Sequence, residues 1–159
     1  MEAEDVTYND APARVGVQRV LVVDDDIAIR HALRLLLEDE GLAVAEAADG
    51  RAALAILRAT SDRYVVLLDQ MMPHLDGLGV LSAIAKDARL HSQHSFVLMI
   101  ACPRTLPPAL VRLASSFAIP IIAKPFEADD MIATVTARVR RLATADSVGW
   151  QLEELAHAV

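Results

Sequence analysis

The sequence predicts an α/β fold, a doubly wound five-stranded parallel sheet with helices on both faces. Short apolar runs alternate with stretches of helical period, and the alternation occurs five times. Parallel strands joined by right-handed helical crossovers follow from that order. Two of the runs end abruptly in acid, "RVLVVDDD" and "YVVLLD", as buried strands do where they deliver a carboxylate to the rim of a sheet.

Each element has its own signal. Residues 1 to 18 carry no periodicity and are expected to form a flexible arm. Val20 to Val23 form the first strand. "IAIRHALRLLLEDEG" follows as a helix with Ile29, Ala32, Leu33 and Leu36 on its apolar side and Gly41 ending it. "LAVAEAA" is a short second strand, and "DGRAALAILRAT" a second helix capped by Asp49. "YVVLL" is the third strand, "LGVLSAIAKD" the third helix, and "HSQHS" a polar loop. "FVLMIA" is a fourth strand. "TLPPALVRLASS" is a helix whose Pro107 and Pro108 fit only in its first turn. "IPIIA" is the fifth strand, and "EADDMIATVTARVRRLA" a last helix with acids at its start and arginines at its end. The expected organisation is an arm over 1–18, one domain over 19–145, and a short tail over 146–159. In that tail "WQLEELAHAV" suits another turn or two of helix, packed on the domain or on a sister chain.

The bulk numbers exclude several classes. No stretch approaches the roughly 20 apolar residues of a membrane span. The polar, acidic N-terminus lacks the apolar centre of a signal peptide, so a cytoplasmic address is expected. A net charge of −7 argues against direct DNA binding, and the arginines of "ARVRRLA" read as the solvated face of a helix. The single cysteine, Cys102, rules out an internal disulfide and reads as a small core residue.

In a flavodoxin-like strand order of 2-1-3-4-5 the first and third strands are neighbours. Asp24, Asp25 and Asp26 after the first, Asp69 after the third and Lys124 after the fifth then converge. Carboxylates this close raise one another's pKa unless a cation sits among them, and hard oxygen donors in a partly hydrated site suit Mg²⁺. A carboxylate beside Mg²⁺ and a lysine is equipped to accept a phosphoryl group, a reaction that needs positioning and charge neutralisation more than covalent chemistry. Packing explains Asp25 and Asp69 poorly. Asp26 reads better as a helix cap, Asp76 as a loop stabiliser, and His74, His91 and His94 as solvated.

From Arg19 to Ala143 the chain resembles the receiver domain of two-component response regulators, through "LVVDDD", "LLDQMMPHLDG" and "AKPF". The resemblance implies Asp69 as phosphoacceptor, Asp25 as a Mg²⁺ ligand and Asp24 as a ligand directly or through water. It also implies a metal contact from the Met71 carbonyl, Lys124 on the phosphoryl oxygens, a cis Lys124–Pro125 bond, and structural roles for Pro73, Asp76 and Gly77. Phosphate would come from a histidine kinase or phosphotransfer protein. Signalling would run through a downstream protein, with a homodimer also allowed, in a stand-alone, non-enzymatic regulator. Two family features are missing. The Thr or Ser ending the fourth strand is Ala101 here, or Ile100 if the register slips, and the Tyr or Phe of the fifth strand is Ile121. Cys102 is too weak a donor to replace the hydroxyl. Two other readings remain open: a phosphorylation-independent interaction module and a haloacid-dehalogenase-like phosphatase using Asp24 and Asp26.

Overall fold

A computed structural model describes residues 18–156, with side chains described as far as residue 145. The expected flexibility of the N-terminal arm and the packing of "WQLEELAHAV" lie outside the described residues. Five strands form one parallel sheet in the order β2-β1-β3-β4-β5: β1 Arg19–Val23, β2 Ala43–Ala47, β3 Tyr64–Asp69, β4 Ser95–Ile100 and β5 Ile121–Ala123. The central strand β3 is buried at all six positions, and such a strand has no polar face to show water. Registers run Val23↔Leu68 and Asp69↔Met99, which brings the strand ends carrying Asp24 and Asp69 side by side.

Strand alternation divides the core in two. Val20, Val22, Val65, Leu67, Val97 and Met99 face α1 (Ile27–Asp39) and α6 (Ala128–Ala156), which contribute Leu33, Leu37, Met131 and Val135. Leu21, Val23, Val66, Leu68 and Leu98 face α2 (Gly50–Ala59), α3 (Gly77–Ala85) and α5 (Pro108–Ser116), which bring Leu57, Leu81 and Leu110. Full burial of each such side chain contributes about 1.5–3 kcal/mol.

Local chemistry sets the helix ends. Asp26, Asp49 and Asp76 each accept backbone N–H groups of the helix they precede, through bonds to Ala28, Ala52 and Gly79. Gly41 follows α1 at φ +80°, a conformation open to a residue without a Cβ. Pro107 and Pro108 open α5, where no intrahelical donor is missed. At its other end Ala118 N–H returns to the Ser115 carbonyl and Ile119 N–H to that of Ala114, a Schellman ending. It puts Ala118 at φ +49°, where glycine is usual.

The structure corrects several expectations. "HSQHS" is not a plain polar loop, because Ala88–Gln93 forms a six-residue helix, α4, capped by Asp87 and anchored by fully buried Leu90. His94 is not solvated: it is 4% exposed, its Nδ1 accepts the Tyr64 N–H, and its Nε2 makes no hydrogen bond. Burial lowers its pKa to about 4, against the opposing pull of the Leu57 carbonyl. His91 and His74 are exposed, although His91 packs in a tilted contact on Phe117 with ring centroids 4.3 Å apart. Cys102 is exposed and not a core residue, because β4 ends at Ile100 and the chain leaves the sheet before it. Ala32 is exposed on α1, where Leu37 takes the buried place. Arg138 is half-buried against the Ala118 carbonyl rather than fully solvated. The last helix does not stop near Ala143 but runs unbroken for 29 residues. Among the described residues no helix is long and apolar enough to cross a membrane.

Candidate functional site

The site lies at the carboxyl ends of β1, β3 and β5. Because β1 is apolar from Val20 to Val23 and pairs on both sides, its chain emerges from the sheet with Asp24 still 1% exposed. Asp69, the last residue of β3, is 5% exposed. Lys124 follows β5, and its N–H bonds the Ile100 carbonyl at 2.7 Å, which fixes the strand end from which its side chain starts. The Lys124–Pro125 bond is cis.

Lys124 reaches across the sheet's end. Its Nζ is 2.7 Å from Asp24 Oδ2 and 3.1 Å from Asp69 Oδ1, bridging residues 100 and 55 positions away in sequence. It is therefore no surface lysine. The other oxygen of Asp24 accepts the Asp26 N–H at 2.9 Å. Asp25 is exposed beside this pair, and oxygens of Asp24, Asp25 and Asp69 all lie within 4.8 Å of one another.

The electrostatics show a site short of positive charge. Burial, then the field of Asp24, pushes the Asp69 carboxyl above its ordinary value despite the opposing pull of Lys124. For Lys124 burial works against the charge, but the Asp24 hydrogen bond and the field of Asp69 outweigh it and raise the pKa. The ammonium thus stays protonated at neutral pH, and one cation faces three carboxylates. A donor set of hard oxygens so spaced can hold a divalent ion of the Mg²⁺ type.

The loop after β3 is closed tightly on itself. Gly77 N–H bonds the Gln70 carbonyl at 2.9 Å, and a Cβ at Gly77 would come 2.7 Å from Gln70 Oε1 and 2.9 Å from the Asp69 carbonyl oxygen. Only glycine fits there. Gln70 is buried with Oε1 unbonded, while Met71 is 70% exposed at the rim. Ala101 is exposed just past β4, and Ile121, opposite Leu98 in β5, is 41% exposed. Neither offers a hydroxyl to the site. Sequence reasoning missed Arg30, whose Nη1 donates to the Asp24 carbonyl at 2.7 Å while its Nε pairs with Glu46 at 3.3 Å. One turn into α1, it reads as an ordinary helix-surface arginine until the fold brings β2 beside it.

Comparisons with known proteins agree with this architecture. Residues 20–136 match the model of the response regulator receiver domain. The response regulator MprA of Mycolicibacterium vanbaalenii is 36% identical over 132 residues, 82% of this chain and 54% of that protein. The DNA-binding response regulator MtrA of Mycobacterium tuberculosis is 33% identical over 124 residues, 78% of this chain and 51% of MtrA. The chain thus spans about half the length of these curated relatives. Among solved structures, a CheY-like receiver domain protein from Methanospirillum hungatei superposes with a TM-score of 0.68 at 31% identity, over 78% of this chain and 98% of that one. Receiver domains are signalling modules, so the phosphatase alternative built on Asp24 and Asp26 is set aside. With an unbroken five-stranded order, the acid cluster and the match over 20–136, the chain belongs to the response regulator receiver domain family.

Proposed function

We propose that Asp69 accepts a phosphoryl group from a histidine kinase or a histidine phosphotransfer protein, in a Mg²⁺-dependent reaction, and that the protein then signals by binding a protein partner. The observation that carries this reading is the lysine bridge. Lys124 lies within hydrogen-bond reach of both Asp24 and Asp69, at the one place where a phosphoryl oxygen on Asp69 would need a positive partner. Asp24, Asp25 and Asp69, with the Met71 carbonyl, are the residues that would hold Mg²⁺, which supplies neutralising charge to phosphoryl oxygens when bound. Asp69 attacks phosphorus with a carboxylate oxygen, and the kinase histidine leaves with the electrons of its P–N bond. Lys124 gives up one of its carboxylate contacts to the new anion. Arg30 keeps the Asp24 backbone in place meanwhile.

Switching is proposed to be atypical. A hydroxyl bonded to a charged group contributes roughly 1.5–3 kcal/mol, enough to move a two-state equilibrium more than tenfold. Ala101 cannot make that bond, and the next hydroxyl along the chain, Thr105, donates to the Cys102 carbonyl. This observation favours the second reading, a module that binds its partner without phosphorylation. MprA and MtrA are regulators roughly one and a half times as long as this chain, and MtrA is named as DNA-binding. With a net charge of −7 the partner proposed for the present chain is a protein.

Intact-protein mass after incubation with acetyl phosphate and Mg²⁺, beside Asp69→Asn, tests the proposal. A gain of one phosphoryl group that the variant lacks supports it. No gain, together with no beryllofluoride binding, refutes phosphorylation and leaves the second reading.

A further inference from the structure

At the amino-terminal ends of β4 and β5, opposite the acidic cluster, packing leaves a cavity of about 170 Å³ between α3, α4 and α6. That is close to the roughly 150 Å³ of an apolar cavity known to admit benzene. Phe96 and Ile119, 5% and 8% exposed, supply apolar wall, and the tilted ring pair of Phe117 and His91 supplies an aromatic one. Arg138 and Arg141 of α6 stand at its edge. Arg138 donates to a neutral acceptor, the Ala118 carbonyl. Among the described residues no carboxylate pairs with either arginine.

Two guanidiniums with no carboxylate partner among the described residues, beside an apolar hollow, make an amphipathic arrangement. A free phosphate would gain from the guanidiniums and nothing from the rings. A neutral aromatic would gain only from the rings, and a cation would be repelled. We propose that this cavity binds a small organic anion, a compact apolar group the size of one ring bearing a single carboxylate. The ring lies against Phe96 and Phe117, and the carboxylate takes hydrogen bonds from Arg138 and Arg141, where planar guanidinium forks match its geometry. Burial and the repulsion of Arg141 both work against the charge on Arg138, and an anion there would relieve that cost. The site is independent of phosphorylation at Asp69.

The test is a benzoate titration of the full chain at fixed ionic strength, followed by amide NMR. Binding is expected at about millimolar concentration, an affinity that roughly nine heavy atoms can supply. Saturable shifts should be confined to the neighbourhood of Phe96, Phe117, Ile119 and Arg138. Arg141→Gln, at an exposed position that leaves the fold alone, should weaken binding at least about fivefold, as loss of one charge-assisted contact implies. Arg138→Gln should do the same. Absence of saturation by about 20 mM overturns the proposal, since even a ligand this small binds tighter in a matched site. So do equal shifts from benzyl alcohol, benzylamine or inorganic phosphate, or undiminished affinity in both arginine variants.

Discussion

Lys124→Met tests whether the lysine bridge holds the sheet's end together as well as serving the site. The substitution keeps an apolar stem of similar length and removes two charged contacts, at 2.7 Å to Asp24 and 3.1 Å to Asp69. Each hydrogen bond between charged partners contributes roughly 1.5–3 kcal/mol, so the gross loss is about 3–6 kcal/mol. Against it stands the relief of burying an ammonium, which works against the lysine's charge in the native protein. Asp69 can also take up a proton once its partner is gone. A net loss of about 2 kcal/mol results, or about 6 °C in melting temperature for a chain this long. The assay is thermal denaturation followed by circular dichroism, in chelator at pH 7.5 and again at pH 4.5. Because the folded Asp69 carboxyl titrates above its ordinary value, falling pH neutralises it in the native state first. The deficit should therefore shrink at pH 4.5. It should also shrink in excess Mg²⁺, since ligand at 100 times its Kd stabilises by about 2.7 kcal/mol and the variant has no ammonium competing for the carboxylates. Melting within about 1 °C of the native protein at pH 7.5 without metal would refute this reasoning, as would a deficit equal at both pH values.

Asp69→Asn should melt above the native protein at pH 7.5 in chelator. A carboxyl whose folded pKa is raised contributes stability below its unfolded pKa and loses it as pH rises through the folded value, so the two proteins should converge near pH 3. His94 gives the opposite slope. With its folded pKa lowered from 6.5 to about 4, stability is full above pH 6.5 and falls as pH drops toward 4, by about 3 kcal/mol in all. His94→Gln should flatten that part of the curve, as urea denaturation at stepped pH would show. Ala118→Gly should raise stability by about 0.5–1 kcal/mol, because glycine takes the φ of +49° without the Cβ penalty that alanine carries there. An unchanged or lower urea midpoint would count against strain at that residue.

The parts of this fold legible in sequence are those where burial and chemistry coincide. Strands buried on both faces, such as β3, read as unbroken apolar runs, and the aspartates closing β1 and β3 have no packing reason to be there. Asp26 and Asp49 were legible as caps because a cap acts within three residues, whereas Asp76, read as a loop stabiliser, proves to cap α3 through the Gly79 N–H. What escaped depends on distant partners. His94 looks solvated among serines and glutamine, and its burial depends on Tyr64, 30 residues away. The six residues of α4 are too few to show a period. Arg30 reads as helix surface until β2 brings Glu46 beside it. Cys102 was misplaced by the two residues between the end of β4 and the end of the apolar run.

Parallel strands all point one way, so whatever charge gathers at their two ends adds along a single axis. The acids of the β1 and β3 termini gather at one end beside the bridging Lys124, while Arg138 and Arg141 stand toward the other, with no carboxylate paired to either among the described residues. Strand direction thus sets these two charged groups apart, at opposite ends of the sheet. A partner surface carrying positive charge would be turned toward the acidic cluster before it touches, and that steering weakens as ionic strength shortens the Debye length, to about 8 Å at physiological salt. Orientation on encounter is thus written into strand direction, ahead of any side-chain fit.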